Sequence, residues 1–420
     1  MSHHDRANVI KASENPIPGS YFVRLKPATN LDNHLAAMKA QLQYKNTPHT
    51  YKVKYTYDPE LISGYSVSMN DSALEELRKH HEVESVYEDC KVEADKWENE
   101  DDTKTSDRPV VVTRTNVPWG LDRISRETAL PPGSDSTLMN YEYHHFEPTI
   151  SAVDVYVIDT GIMIDHTEFD GRAIWGTNFA DDKDTDLHGH GTHVAGIIGG
   201  SRVGVSGTAR IIAVKILGLE PWAEATRVMK AIEWVFHQAR QSGNPSVINA
   251  SLRAEPFEPL DIIANIVVDG GMHFCASAGN QNKDADSQSP GRARNVVTVG
   301  ATSIDDERWY LSNFGEKVDI FAPGADIISA GIKSKDYLFM LSGTSMASPH
   351  VAGLIAYFLS LGAQVTPSEM KRVLKELGIK DVLKHIPKGT ANCMLWNGVS
   401  QDEHAMQVLQ VLQDQRFPKA

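Results

Sequence analysis

The sequence predicts an α/β protein in which a doubly wound parallel sheet follows a small α+β domain. Between about residues 116 and 361, short runs rich in Val and Ile alternate with segments of helical spacing. Parallel strands that are covered by helices on both faces show this pattern. Before residue 93, shorter elements follow the β-α-β-β-α-β order of a split βαβ unit. At 420 residues, 41% of them hydrophobic, the chain is long enough for about two or three domains.

The N-terminal part is interpreted as a tail over 1–17 and a small domain over 18–92. Its predicted strands cover 19–25, 65–69 and 83–88, and its predicted helices cover 33–40 and 72–78. Ser72 is the expected N-cap of the second helix, with Glu75 completing a capping box. Residues 93–115 are predicted to be an acidic linker, because they are charged, poor in apolar residues and therefore accessible to proteolytic cleavage.

The main domain is predicted over 116–361, and a C-terminal helical extension over 362–420. Its expected strands are 153–158, 211–217, 247–252, 272–275 and 296–299, and its expected helices are 224–240, 261–268 and 345–359. In the extension, Thr366 followed by Pro367 is typical of a helix start, and residues 402–413 are predicted to form one more helix.

Composition excludes several classes of function. A formal net charge of −14 argues against nucleic acid as a partner, and no apolar run is long enough to span a membrane. The first eleven residues lack the apolar core of a secretory signal. The three cysteines, Cys90, Cys275 and Cys393, do not indicate a disulfide framework. These features favour an intracellular location over a secreted one.

Three short motifs supply an acid, a base and a nucleophile in that order: Asp159-Thr160-Gly161, then His190-Gly191-Thr192-His193, then Ser342 to His350, which contains Ser345. A serine hydroxyl becomes a useful nucleophile when an imidazole removes its proton and a carboxylate orients that imidazole. Taken singly, each motif has another interpretation. Asp159 could cap a strand, His188, His190 and His193 could bind zinc, and Ser345 could be a helix N-cap.

The order Asp, His, Ser is the order found in subtilisin. The words around the three residues resemble the subtilisin-like serine proteases, and more closely their fungal proteinase K-like branch. The resemblance implies a subtilisin-like fold and a serine endopeptidase that hydrolyses peptide bonds through an acyl-enzyme, with Asp159, His190 and Ser345 as its triad and no cofactor required. It makes Asn280, in Ala278-Gly279-Asn280, the oxyanion-hole donor. Residues 18–92 resemble an inhibitory propeptide whose C-terminal end lies in the substrate cleft, so the expected partners are a peptide or protein substrate and the chain's own propeptide.

The predicted cleft departs from that family. Relatives bind the substrate as an added strand between two glycine-rich edges. Here the edges read Ser251-Leu252-Arg253-Ala254 and Pro221-Trp222, with Ser277-Ala278-Gly279 beside them. The lost glycines leave three hypotheses open: a cleft that still admits most peptides, a narrowed substrate range in which Arg253 favours an acidic group, and a catalytically silent peptide-binding protein. A separate alternative is a transpeptidase or ligase that uses the same acyl-enzyme.

The resemblance also implies a structural calcium site. Its predicted ligands are the carboxylate of Asp319 and the main-chain carbonyls of Arg294 and Val296. Such hard oxygen ligands suit Ca²⁺.

Overall fold

The computed structural model describes residues 6–13, 15–44, 50–94, 113–148 and 153–399. The predicted linker therefore lies largely outside the described residues, as does the predicted helix at 402–413. Within the described ranges, no helix is both long enough and apolar enough to cross a bilayer. All three cysteines are buried and free.

The N-terminal domain is built as a split βαβ unit, as predicted. Its hydrogen-bonded strand order is β1-β5-β2-β4-β3. The strands are β1 (Asn8–Ile10), β2 (Pro16–Leu25), β3 (Tyr51–Thr56), β4 (Gly64–Met69) and β5 (Val83–Ala94), and the helices are α1 (Leu31–Tyr44) and α2 (Asp71–Leu77). Strand β5 extends six residues past its predicted end at Glu88, and this extension brings it to the second domain.

Two local predictions in this domain need correction. Part of the predicted tail is β1, which pairs in parallel with β5 and is held by a hydrogen bond from Arg78 Nε to Ala7 O of 2.9 Å. The N-cap of α2 is Asn70, not Ser72: its side chain accepts from Ala73 N at 3.1 Å. Both residue types cap well, so the sequence alone did not decide between them.

The second domain is organised around a nine-stranded sheet of order β19-β20-β16-β15-β14-β12-β8-β10-β9. Its strands are β8 (Asp154–Asp159), β9 (Ala173–Asn178), β10 (Arg210–Lys215), β12 (Ser246–Ala250), β14 (His273–Ser277), β15 (Val297–Thr302), β16 (Ile320–Pro323), β19 (Ile379–Lys380) and β20 (Cys393–Met394). Outside it lie β6 (Thr113–Val117), β7 (Tyr141–His144), β11 (Trp222–Glu224), β13 (Leu252–Ala254), β17 (Ile327–Ala330) and β18 (Leu338–Leu341). The helices are α3 (Trp119–Ile124), α4 (His190–Gly199), α5 (Ala225–Ser242), α6 (Glu258–Asp269), α7 (Thr344–Ser360) and α8 (Pro367–Leu377).

Strand β8 shows why the sheet is doubly wound. Val155 and Val157 belong to the core that contains α4 and α7, whereas Tyr156 and Ile158 belong to the core that contains α5 and α6. Successive side chains of a strand point to opposite faces, so a strand that is apolar at consecutive positions requires helices on both sides. The predicted α/β class is confirmed.

The C-terminal prediction was incomplete. The helix expected at Thr366 is α8, with a capping box between Thr366 and Glu369. The residues after α8, however, also form two strands of the central sheet: β20 pairs in parallel with β16, and β19 pairs with β20. Two-residue strands carry too little periodicity to be recognised in a sequence.

Candidate active site

The predicted acid and base meet at the end of the central strand. Asp159 is the last residue of β8, and His190 is the first residue of α4; both side chains are buried. His190 Nδ1 lies 2.8 Å from Asp159 Oδ1. An ionised carboxylate only accepts hydrogen bonds, so Nδ1 carries the proton and donates. This leaves Nε2 of the neutral ring as the position that can accept a proton.

A buried carboxylate that the sequence analysis missed holds these two elements together. Asp186 accepts hydrogen bonds from the hydroxyls of Thr160 and Thr192, at 2.9 and 2.6 Å. Thr160 follows Asp159, and Thr192 lies in the first turn of α4, so Asp186 fixes β8 against α4. Its position four residues before His190 was the available signal.

The two elements also approach closely at Gly191. A Cβ added there would lie 2.2 Å from the carbonyl oxygen of Gly161, which leaves no room for a side chain. The glycine after His190 is therefore required for the end of β8 to reach the start of α4.

Ser345 lies in the first turn of α7, and its side chain is buried. Its hydroxyl is 3.4 Å from Ser251 O, and Ser251 Oγ donates to Ser345 O at 2.9 Å. Asn249 supports this contact, since its Nδ2 donates to Ser251 Oγ at 3.0 Å and its Oδ1 accepts from Ser348 Oγ at 2.8 Å. The predicted nucleophile is thereby fixed to the first residue of one cleft edge, at the positive end of a helix dipole.

Asn280 is oriented by the residue before the predicted nucleophile. Its Oδ1 accepts from Thr344 N at 2.9 Å and from Thr344 Oγ1 at 2.6 Å. The nitrogen of the amide, Nδ2, faces Gly343: a Cβ added to Gly343 would lie 2.9 Å from Asn280 Nδ2. Since the oxygen is engaged as an acceptor, the amide turns its donors toward Gly343, two residues before Ser345, which is the kind of placement expected of an oxyanion-hole donor.

The neighbouring histidines do not form a zinc site. His193 Nε2 lies 3.0 Å from Ile327 O and 3.1 Å from Phe339 O, and burial lowers the pKa of His193 to about 3. His190 turns instead to Asp159. Among the residues that the structure describes, the one group with metal-binding geometry is His34, His80 and Glu82 on the N-terminal domain.

The two predicted cleft edges hold a strand of this chain between them. β5 pairs antiparallel with β11 on one side and with β13 on the other. Val92 is opposite both Ala223 and Ala254, and its side chain is fully buried. Pro221 precedes β11, so its missing N–H removes no bond from this ladder. The loss of glycines has not closed the cleft to a peptide strand.

Glu93, the residue after Val92 in β5, lies next to a charged side chain of the cleft. Glu93 is opposite Trp222 on one edge and Arg253 on the other, and Arg253 Nη2 lies 3.1 Å from Glu93 Oε2. Lys91 places its ammonium 4.7 Å from the centre of the Trp222 ring. Arg253 thus contacts an acidic group of this chain in the cleft.

The third predicted segment lies beside the same edge. Ser277 ends β14 and its hydroxyl is 3.5 Å from Leu252 O; Ala278 follows, buried, and Gly279 N donates to Thr344 Oγ1 at 3.0 Å. The structure therefore brings together all the predicted substrate-binding residues, which are Ser251, Leu252, Arg253, Ala254, Trp222, Ser277, Ala278 and Gly279.

The three predicted calcium ligands also converge, but on a side chain. Lys371 Nζ lies 2.8 Å from Asp319 Oδ2, 2.7 Å from Val296 O and 3.1 Å from Arg294 O. Lys375 Nζ is 3.3 Å from Asp319 Oδ1. An ammonium group fills the centre of the oxygen set, so these residues as they stand do not fit a bound calcium ion.

Family comparisons match both domains of the chain. The model of the subtilase family matches residues 151–382, and that of the peptidase inhibitor I9 family matches residues 20–95. A subtilisin-like protease of Coccidioides posadasii is 37% identical over 94% of this chain and 84% of its own length. Subtilisin-like protease 8 of Trichophyton verrucosum is 36% identical over 96% of this chain and 86% of its own.

Solved structures show the same relationship. A cold-adapted subtilisin-like serine proteinase is 36% identical with a TM-score of 0.61, over 68% of this chain and all of its own. Fervidolysin from Fervidobacterium pennivorans, at 19% identity, shares the fold with a TM-score of 0.72 over 96% of this chain and 63% of its own. The chain belongs to the subtilase family of serine endopeptidases and carries an I9-type inhibitor domain before its peptidase domain.

Proposed function

We propose that this chain is a self-inhibited precursor of a serine endopeptidase that cleaves through Asp159, His190 and Ser345. The observation that supports this most is β5, a strand of the inhibitor-type domain held between β11 and β13 in the manner of a bound peptide. We assign residues 8–94 to the inhibitor, because β1 and the whole of β5 belong to its sheet, and residues 113–394 to the peptidase domain, because β20 pairs with β16 in the central sheet. The linker that is cut on maturation follows Ala94, and these bounds replace the predicted limits at 18–92, 93–115, 116–361 and 362–420.

We propose that the reaction follows the order of steps known for a serine, histidine and aspartate triad. His190 Nε2 removes the proton from Ser345 Oγ as the oxygen attacks the peptide carbonyl, and Asp159 holds the proton on Nδ1 and stabilises the charged ring. Asn280 Nδ2 and the Ser345 N–H donate to the oxyanion. His190 returns its proton to the leaving amine, which gives the acyl-enzyme, and then activates the water that hydrolyses it.

The register of β5 indicates which bond of the chain is cut first. Ala94 is opposite Leu252, so the next residue of a bound strand is opposite Ser251, whose carbonyl lies 3.4 Å from Ser345 Oγ. In this sequence the next residue is Asp95, which lies outside the described residues. We therefore propose the Asp95–Lys96 bond as the first one cleaved.

The substrate range we propose is narrowed by charge. Arg253 is largely buried at the position opposite Glu93, with 16% of its side chain exposed. A guanidinium held in such a place favours a carboxylate and disfavours a cation. We therefore propose that the enzyme prefers substrates with an acidic residue at the third position before the cut bond, which is the position of Glu93 before the Asp95–Lys96 bond.

Reversing the charge of Arg253 should reverse this preference. With peptides that differ only in Glu, Gln or Lys at the Glu93 position, we expect Arg253→Glu to lower kcat/KM for the Glu peptide roughly 10-fold, because a hydrogen bond to a charged group contributes about 1.5–3 kcal/mol and 1.4 kcal/mol is tenfold. The same substitution should raise kcat/KM for the Lys peptide. The neutral control Arg253→Gln should show similar kcat/KM for the Glu, Gln and Lys peptides. Equal changes for all three peptides would contradict the assignment.

Two other functions use the same site. A silent peptide-binding protein would keep β5 in the cleft without chemistry, and a transpeptidase or ligase would pass the acyl group to an amine. A fluorophosphonate probe should label Ser345 in the wild type but not in Ser345→Ala; absence of labelling would favour the silent protein. With a labelled peptide and a competing amine, hydrolysed product should predominate, whereas mainly joined product would identify a ligase.

A further inference from the structure

We propose that Lys371 is a built-in replacement for the calcium ion at Asp319, so that the peptidase domain keeps this corner of its fold without metal. The proposal does not depend on the catalytic assignment. Its basis is the convergence of three oxygens from separate points of the chain on one ammonium nitrogen, at 2.7 to 3.1 Å.

Each N–H donor of the Lys371 ammonium has an acceptor at this site. A lysine ammonium has three donors and no acceptor. It finds three acceptors here: one carboxylate oxygen of Asp319 and the carbonyls of Arg294 and Val296. All three distances lie in the normal range for N–H···O bonds. The Lys371 side chain is 20% exposed and that of Asp319 only 7%, so the contact is a largely buried ion pair rather than a surface one.

The charges around Asp319 exclude a calcium ion in addition to the lysines. The site contains one carboxylate, and two lysines already face it, because Lys375 Nζ contacts the other oxygen of Asp319 at 3.3 Å. Two positive charges around one negative charge leave no negative charge to bind a divalent ion. Asp319 is also held from the protein side, since its Oδ2 accepts from Thr298 N at 3.0 Å.

The position of Lys371 gives it the mechanical role of a metal ion. It lies on α8, whose Met370, Val373 and Leu374 are buried in the main core. Its ammonium connects this helix to the segment before β15 and to Asp319, the residue before β16. A bound ion would make the same connection only at a sufficient concentration of free ion, whereas the lysine makes it in every folded molecule.

Thermal unfolding of the full chain tests the proposal. Carrying Ser345→Ala throughout prevents self-digestion, and midpoints are compared in EDTA and in calcium chloride. The Lys371 protein should unfold at the same temperature in both. Lys371→Met keeps the apolar stem but removes the cation. In EDTA its midpoint should fall by roughly 5 °C or more, since the change breaks a largely buried ion pair and also removes the donor to the carbonyls of Arg294 and Val296.

The calcium response separates the proposal from a simple loss of stability. Removing the ammonium of Lys371 empties the centre of the oxygen set, and Lys375, whose side chain is 46% exposed, can turn into solvent, so calcium should raise the midpoint of Lys371→Met more than that of the protein with Lys371. Lys375→Met is the matched control: it removes a cation 46% exposed that reaches Asp319 alone, and should show a smaller fall and no added calcium response. A fall of the Lys371 protein in EDTA, or equal calcium responses with and without Lys371, would overturn the proposal. The first comparison holds even if Lys371→Met does not fold.

Discussion

Asp159→Asn is expected to lower kcat about 10⁴-fold, which is the loss measured for the equivalent change in a chymotrypsin-type triad. Asp159 Oδ1 accepts from His190 Nδ1 at 2.8 Å and from Thr160 N at 2.7 Å. An asparagine can hold the same place but can donate to Nδ1, which moves the ring proton to Nε2. The imidazole then cannot take the proton of Ser345.

This variant will not mature by itself, so its linker is to be cut in trans by wild-type enzyme before purification. Steady-state hydrolysis of a fluorogenic peptide then gives kcat and KM separately, and KM should change little because Asp159 does not lie on a cleft edge. Asp182→Asn is the matched control, since this exposed carboxylate is eight residues before His190 and should leave kcat unchanged. A loss of kcat below tenfold in Asp159→Asn would remove Asp159 from the mechanism.

Asn280→Ala is expected to lower kcat by about 10²- to 10³-fold, which is the loss known for the corresponding residue of subtilisin, a member of the same family. The Thr344 main chain and hydroxyl hold Asn280 Oδ1, so the Nδ2 donors need no reorganisation when the oxyanion forms. KM should be nearly unchanged, since the ground-state carbonyl makes weaker use of this donor.

Two further substitutions make this second result specific. Thr344→Val removes one of the two hydrogen bonds to Asn280 Oδ1 and keeps the main-chain one, so it should give an intermediate loss of kcat. Asn280→Asp places a carboxylate beside the developing oxyanion and should be at least as poor as Asn280→Ala. If both Asn280 variants retain kcat within tenfold, another group stabilises the oxyanion.

The sequence predicted the parts of the fold in which local pattern and burial agree. β8 and α7 are long apolar segments that end or begin at a motif residue, and both were placed to within one residue. β9, β16 and the short β19 and β20 were missed, because such strands depend on pairing with distant residues rather than on their own periodicity.

The residues of the candidate site that lie within sequence motifs were predictable from the sequence. Asp159, His190, Ser345 and Asn280 stand in recognisable words. The structure places His190 beside Asp159 and Asn280 beside Thr344, the residue before Ser345. Contacts between distant segments could not be foreseen: Asp186 bracing α4, and Lys371 reaching Asp319 from 52 residues further along the chain. The family resemblance did imply that the end of the propeptide lies in the cleft, and β5 pairs with both β11 and β13, although their lost glycines had left open whether this cleft still admits a peptide.

Intact mass analysis of wild type and Ser345→Ala, expressed without added protease, tests the account most directly. We predict that the wild type is recovered as two pieces separated after Asp95, with a new N-terminus at Lys96, and that Ser345→Ala keeps its full mass. Further trimming within the linker would also depend on Ser345. If both proteins stay at full mass, or if Ser345→Ala is cut at the same bond, the chain does not process itself and the proposed triad is not what matures it.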